Sequence, residues 1–191
     1  MVHGSYYKIR TMGHLTLLMG CMFAQKTTEL LRRIRRYKAI GYSVLVVNFI
    51  GDVRYGTNKI ASHDMDGCDA VCVKWLQDVA HQVESGSYQV VIIDEGQFYG
   101  DLYAFVTKWA DRFPVHIVVA GLDGDSNRTP FGDMLRLIPH AEAFERLSAF
   151  CSVCKNGTEA HFSKRIVRTV EQIAIGGADS YIPVCRAHYN E

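Results

Sequence analysis

Three groups of residues in this 191-residue chain have types and spacings that could do chemistry. The first is Gly20-Cys21-Met22-Phe23-Ala24-Gln25-Lys26-Thr27, set between an apolar run and an amphipathic one. It follows the G-x-x-x-x-G-K-[ST] pattern of a phosphate-binding loop, except that Gln25 stands at the second glycine. In such a loop successive backbone N–H groups curl around a phosphate, and the start of the following helix adds partial positive charge. Lys26 would neutralise the outer phosphates and the Thr27 hydroxyl would take a place on Mg2+. Glycine serves where the backbone needs positive φ or where a Cβ would obstruct the ligand. Gln25 must therefore bear strain of about 1–3 kcal/mol or shift the loop. As a bare pattern, an ordinary strand-turn-helix reads equally well.

The second group is Asp94-Glu95, closing the apolar run Val90-Val-Ile-Ile. A carboxylate at a strand's C-terminal end suits the support of Mg2+ through water, and a second one beside it can accept a proton from an attacking hydroxyl. The plain alternative is a strand that ends at a polar turn, since Gly96 follows. The third group is Cys151-Ser-Val-Cys154 with Cys185-Arg-Ala-His188. Two pairs of soft ligands with this internal spacing can close a tetrahedral Zn2+ shell with no open position, which means structure rather than catalysis. Reduced thiol pairs, or disulfides in an oxidising setting, are the competing reading. The remaining cysteines, Cys21, Cys68 and Cys72, read as small buried residues. His14 and His161 read as packing or surface histidines.

The elements that must position these groups alternate apolar strands with amphipathic stretches, the signature of a βαβ protein with a largely parallel sheet. His14–Met19 is the first strand and Thr27 to about Ile40 the first helix, with Leu30, Leu31 and Ile34 on its apolar face and Gly41 ending it. Val44–Phe49, Val90–Asp94 and Val115–Ala120 are further strands of the kind buried on both faces. Val71–Val83 and Leu102–Phe113 read as crossover helices. From Phe150 the chain turns short, polar and glycine-containing, so a boundary falls near Arg146. The expected organisation is an α/β nucleotide-binding domain with a P-loop parallel sheet over 1–145 and a small zinc-binding domain over 146–191.

A chain of this length buries roughly 70% of its unfolded surface, enough for a self-sufficient core. Hydrophobic residues are 48% and charged residues 21%, which excludes a disordered or coiled-coil chain. Lys+Arg of 21 against Asp+Glu of 20 leaves +1, which excludes a bulk polycation holding nucleic acid or membrane by charge alone. No apolar stretch approaches the roughly 20 residues of a bilayer span, and the start lacks the apolar core of a signal peptide. A soluble, cytoplasmic protein is the expectation. Arg32, Arg33, Arg35, Arg36 and Lys38 form a basic run on the first helix, read as a solvated face with Glu29 four residues before Arg33.

Across about residues 13–189 the chain resembles the thymidine kinases of the cytosolic, poxviral and bacterial type. The resemblance is carried by Met22-Phe23 with Lys26-Thr27-Thr28-Glu29-Leu30, Asp52 with Arg54-Tyr55, His63-Asp64, Asp94-Glu95-Gly96-Gln97-Phe98, Leu122-Asp123-Gly124 and Pro130-Phe131-Gly132. It continues through Ser163-Lys164-Arg165, Ile175-Gly176-Gly177-Ala178-Asp179 with Tyr181, and Cys185-Arg186. It implies transfer of the ATP γ-phosphate to the 5′-hydroxyl of thymidine or deoxyuridine with Mg2+, in nucleotide salvage. By the same resemblance Gly20 through Thr27, Asp52, Asp94 and Gln97 serve the nucleotide and metal. Glu95 is the general base and Arg54 stabilises transition-state charge beside Lys26. Phe98, Ser126, Phe131, Ile175, Gly176 and Tyr181 form the nucleoside site, Gln97 helping there too. A lasso over about Arg165–Tyr181 covers the base, a structural zinc on Cys151, Cys154, Cys185 and His188 fastens it, and a homotetramer inhibited by dTTP is implied. His63-Asp64 is a loop turn or a nucleotide-site element.

Two departures stand out. Gln25 is one. The other is Ser126, where the family presents an aromatic residue in an F-Q-R-K-P-F-G-like segment and this chain reads Ser126-Asn-Arg-Thr-Pro-Phe-Gly132. Loss of an aromatic face removes about 1–3 kcal/mol of base stacking unless Phe131 or Phe98 compensates. These departures motivate an alternative, a homologue that binds nucleotide but turns over poorly. A nucleic-acid-binding zinc knuckle is the other rival, opposed by the scarcity of Lys and Arg around the cysteines.

Overall fold

The computed structural model describes residues 12–51, 59–61, 67–167 and 177–191. In chain order the elements are β1 (His14–Gly20), α1 (Lys26–Ala39), β2 (Val44–Phe49), β3 (Lys59–Ala61), β4 (Gly67–Asp69), β5 (Val71–Val73), α2 (Ala80–Glu84), β6 (Val90–Ile93) and α3 (Leu102–Arg112). They continue with β7 (His116–Gly121), β8 (Ala143–Leu147), β9 (Ala149–Phe150), β10 (Glu159–Ala160), β11 (Phe162–Arg165), β12 (Tyr181–Val184) and α4 (Arg186–Asn190). Single 3-10 turns cover Leu76–Val79, Gly96–Phe98 and Met134–His140.

Six strands form one parallel sheet in the order β5-β2-β6-β7-β1-β8. Parallel neighbours cannot be joined by a hairpin, so the chain must cross over through helices, which cover both faces. On one face Leu15, Leu17 and Met19 of β1 and Ile117 and Val119 of β7 pack with Leu102, Val106 and Trp109 of α3. On the other, Leu18, Val46, Ile92 and Val118 pack under Leu30, Leu31 and Ile34 of α1. The two sets alternate along each strand because successive side chains point to opposite faces. The outward side of α1 carries the basic run, where Glu29 accepts from Arg32 and Arg33, and Arg33 reaches Glu145 of β8.

Three expectations change. The stretch from Val71 does not start as a helix: Val71–Val73 is edge strand β5, pairing Val47↔Val71 and Phe49↔Val73. Its β-branched residues prefer the sheet edge, and only the following turn and α2 are helical. Ala143–Leu147, unassigned from sequence, is a sixth strand beside β1, so the expected division at 145/146 falls inside β8. Cys68 and Cys72 are half-buried rather than buried, whereas Cys21 is buried.

Beyond β8 the chain makes two small antiparallel pairs, β9 with β10 and β11 with β12. Among the described residues no helix is long and apolar enough to cross a membrane.

Leu17 has no exposed surface and lies in the centre of the α3-facing cluster. Leu17→Ala should lower unfolding free energy by about 2–5 kcal/mol through lost transfer energy and the cavity left behind. Ile40→Ala, at a residue 65% exposed, should change it by less than about 0.5 kcal/mol. Urea titration of both variants checks the contrast.

Candidate functional site

The C-terminal ends of β1, β6 and β7 open on one side of the sheet, the edge where open α/β sheets present ligand sites. β1 delivers Gly20 into a tight turn that α1 resumes at Lys26. Within that turn Phe23 (φ 65°) and Gln25 (φ 59°, ψ 30°) are both left-handed. Gln25 therefore takes the conformation a glycine would take and carries strain of about 1–3 kcal/mol. Its side chain is exposed, so the extra atoms lie outside the turn. The Gln25 carbonyl accepts from Glu29 N–H at 3.0 Å, the first full turn of α1. Lys26 Nζ folds back over the turn, donating to the carbonyls of Cys21 (2.8 Å) and Gly20 (3.2 Å).

Thr27, in the first turn of α1, donates its hydroxyl to Asp94 Oδ2 at 2.9 Å. Asp94 Oδ1 accepts from the Glu95 N–H, also at 2.9 Å. Asp94 is 4% exposed, and that burial pushes its carboxyl up to about 7. The neighbouring Glu95 carboxylate adds to the rise, while the Thr27 hydroxyl, the Glu95 N–H and Lys26 oppose it. Glu95 sits half-buried at φ 54°, ψ 40°, again left-handed. Two non-glycine residues on left-handed backbone, Gln25 and Glu95, thus flank the Thr27–Asp94 contact in sequence, the kind of backbone strain found at functional sites.

Gln97 is buried and bridges two strand exits: its Nε2 donates to Glu95 Oε2 at 2.6 Å, and its Oε1 accepts from Leu122 N–H at 2.9 Å. Phe98 packs edge-on against Phe131 with ring centroids 5.5 Å apart, and tilted against Phe49 at 5.1 Å. Gly132 follows Phe131 at φ 57°, and a Cβ there would run into the Gln97 carbonyl oxygen. Glycine is therefore required at 132 for this aromatic wall to close on the Glu95–Phe98 turn.

Ser126 lies in the turn between Gly124 and Pro130, which pair across a single bridge. Its backbone carbonyl, not its side chain, has a long-range partner, accepting the Tyr189 hydroxyl at 2.7 Å. Asp125 Oδ1 accepts from Asn127 and Thr129 N–H, and the Arg128 guanidinium stacks 4.2 Å over the Tyr189 ring. Sequence reasoning gave Tyr189 and Asp125 no role. An Asp two residues before an Asn-x-Thr turn was the available signal for one, and an aromatic residue next to the metal-pattern His188 for the other.

Ser163 was noticed without a role. Its Oγ accepts from Met22 N–H at 2.9 Å, and Cys21 Sγ lies 3.3 Å from the Ala160 carbonyl. The β10–β11 segment is thereby fastened to the Gly20–Lys26 turn. Tyr181 is buried, its hydroxyl 3.2 Å from Arg165 Nε, and Arg165↔Tyr181 is the last register pair of β11 with β12. Asp52, Arg54, His63, Asp64, Ile175 and Gly176 lie outside the described residues.

Cys151, Cys154, Cys185 and His188 converge, with their ligand atoms all within 4.8 Å of one another. His188 Nδ1 is 3.3 Å from the sulfurs of Cys154 and Cys185 and 3.6 Å from that of Cys151, and the Cys154 and Cys185 sulfurs are 3.9 Å apart. Tetrahedral Zn–S bonds of about 2.3 Å put sulfurs about 3.8 Å apart, so these donors fit Zn2+. Cys185 starts α4 and β12 leads into it, so the cluster lies at the base of the β11–β12 pair whose far end is Arg165 and Tyr181.

A parallel α/β sheet, a lysine-bearing turn feeding a helix and a buried carboxylate hydrogen-bonded to that helix's first threonine define the architecture of a nucleotide-dependent phosphotransferase. Comparison with known proteins makes this specific. The family model described as thymidine kinase matches residues 13–189, and the chain belongs to the thymidine kinase family. It is similar to the thymidine kinase of rabbit fibroma virus (strain Kasza), 42% identical over 178 residues, 93% of this chain and 96% of that one. The cytosolic thymidine kinase of Gallus gallus is 41% identical over 180 residues, covering 94% and 78% of the two chains. The vaccinia virus (strain Western Reserve) thymidine kinase is 40% identical over 177 residues, 93% and 97%. The chain is accordingly an ATP-dependent kinase.

Two predictions follow from this geometry. A carboxyl whose value rises on folding from 3.8 to about 7 favours the folded state when protonated. Its ionisation therefore weakens the Mg2+-free protein progressively as pH rises from about 4 through 7. Asp94→Asn should remove that loss, so the variant melts above wild type at pH 8 and matches it near pH 4; thermal melts across this range decide it. Separately, Cys154→Ser should reduce bound zinc from one ion per chain to near none, and should open the segment from 150 onward to protease. Metal analysis and limited proteolysis read the two effects.

Proposed function

We propose that this chain transfers the γ-phosphoryl group of ATP to the 5′-hydroxyl of thymidine or deoxyuridine, yielding dTMP or dUMP and ADP. The observation that carries the reading is the Thr27–Asp94 hydrogen bond with Glu95 alongside, at the mouth of the Gly20–Lys26 turn. Backbone N–H groups of the Gly20–Thr27 turn receive the β- and γ-phosphates, except that Met22 N–H is already held by Ser163 Oγ and Ala24 N–H by the Cys21 carbonyl, with Lys26 as a point charge on the outer ones. Thr27 and Asp94, with Asp52, hold the site for Mg2+, which when bound neutralises charge on the phosphates. Arg54, by the family resemblance, stabilises charge on the transferring group.

Glu95 takes the 5′-hydroxyl proton as the 5′-oxygen forms its bond to the γ-phosphorus and the bond to the bridging oxygen of ADP breaks. Positioning and charge stabilisation supply most of the acceleration, since the transition state is loose and offers the protein little covalent chemistry. Phe98 and Phe131 offer aromatic faces near the nucleoside. Ser126 contributes backbone rather than a stacking ring, and Ile175, Gly176 and Tyr181 close over the base through peptide groups.

The Cys151–Cys154–Cys185–His188 zinc is structural and fastens the ends of the covering segment. In this reading residues 1–145 form the nucleotide-binding part and 146–191 the zinc and lasso part, with β8 at the junction. A cytoplasmic homotetramer inhibited by dTTP, acting in pyrimidine salvage and binding neither nucleic acid nor membrane, completes the proposal.

A radiolabelled assay with ATP, Mg2+ and thymidine tests it. Turnover in the range of about 1–100 s−1 typical of kinases is expected, and a rate orders of magnitude lower would favour the poorly active homologue. Glu95→Gln should reduce kcat by about 10²–10⁴-fold while thymidine binding by calorimetry stays within a few-fold. Retained turnover would remove Glu95 as the base.

A further inference from the structure

Gln97 carries chemistry that its expected place among nucleotide and nucleoside contacts does not account for. It is 4% exposed, and both ends of its amide are engaged within the protein. A backbone N–H can only donate, so the Gln97 atom 2.9 Å from Leu122 N is the oxygen. The atom 2.6 Å from Glu95 Oε2 is therefore the amide nitrogen, a donor. The Glu95 oxygen facing it therefore accepts, and is held at a fixed place by that donor.

The setting forces this arrangement. Gln97 lies in the 3-10 turn Gly96–Phe98, closed by Phe98 N–H donating to the Glu95 carbonyl at 3.1 Å. The side chain thus reaches back two residues to the start of its own turn. Its far end is anchored on the exit of the next strand, β7. A Cβ at Gly121 would stand 2.7 Å from Gln97 Oε1, so β7 ends in a residue that leaves room for this side chain. Glu95 itself is left-handed and flanked by Asp94, whose Oδ1 holds its N–H. Gln97 ties one oxygen to a fixed point on the sheet.

We propose that Gln97 is a positioning residue: it aims the Glu95 carboxylate at the nucleoside hydroxyl and acts on catalysis through Glu95, touching neither substrate. This rests on the reading of Glu95 as the base. Misplacement of a reacting group by about 1 Å lowers rate by about 10²-fold, so the effect belongs in kcat.

Gln97→Glu separates this role from a purely structural one. It preserves size and the acceptor for Leu122 N–H but puts a carboxylate where Glu95 needs a donor. Expected are a kcat loss of about 10–100-fold, KM values for thymidine and ATP within about two-fold, and a melting temperature lowered by the buried pair of carboxyls. Gln97→Met, which removes both hydrogen bonds, should lose kcat at least as severely, and it stands in should the Glu variant not fold. The double variant Glu95→Gln/Gln97→Glu should be no slower than Glu95→Gln alone. A folded Gln97→Glu enzyme within two-fold of wild-type kcat, a loss confined to KM, or full additivity in the double variant would each overturn the proposal. Retained turnover in Glu95→Gln alone would instead overturn the base assignment, and a Gln97 effect persisting in that background would show it acting elsewhere.

Discussion

Thr27 and Asp94 meet at 2.9 Å, and that hydrogen bond joins the first turn of α1 to the exit of β6, two strands away from β1 in the sheet. It ties the Gly20–Lys26 turn and the carboxylate pair into a single site. It exists because β1, β7 and β6 are parallel and in register, so that their C-terminal ends finish at one level. The apolar layers beneath, with α1 on one face and α3 on the other, keep those ends level. Burial of Asp94 follows from the same packing and makes its charge unfavourable unless a cation is present.

Strain is concentrated around this contact. Phe23, Gln25 and Glu95 all occupy left-handed backbone, each a residue type for which that region is unfavourable. Gln25 is held by the start of α1, and Glu95 by Asp94 and Gln97. The rigid sheet supplies the stability that lets such conformations persist. A flexible loop could offer the same side chains, but not at fixed separations.

The C-terminal part solves a different problem. Beyond β8 the described residues form a small apolar cluster around Cys151, Ala160 and Val184, too little to order that part of the chain by burial alone. Side-chain ties replace the missing core. The four metal-type ligands gather one end, Ser163 and Cys21 bind β10–β11 to the Gly20–Lys26 turn, and Tyr189 and Arg128 clamp the Asp123–Pro130 turn onto α4. The metal cluster is thus mechanically continuous with both sides of the site, although its ligands leave no position for substrate.

Much of this was legible from residue types. Apolar runs of β-branched residues marked β2, β6 and β7, because a strand buried on both faces has no polar positions to alternate with. Short-range ligand spacing marked the metal-type cluster, and the run from Gly20 to Thr27 marked the turn between β1 and α1, since both patterns depend on neighbours in sequence. Two edge strands escaped. Val71–Val73 was absorbed into a helix and Ala143–Leu147 went unassigned, because three to five residues at a sheet edge carry too few positions to establish a period and owe their form to the partner strand. Likewise the identity of Asp94's partner, the direction in which the Gln97 amide points, and the reach of Tyr189 to the Ser126 carbonyl are long-range facts. They depend on which strand ends lie side by side, and only the folded sheet decides that.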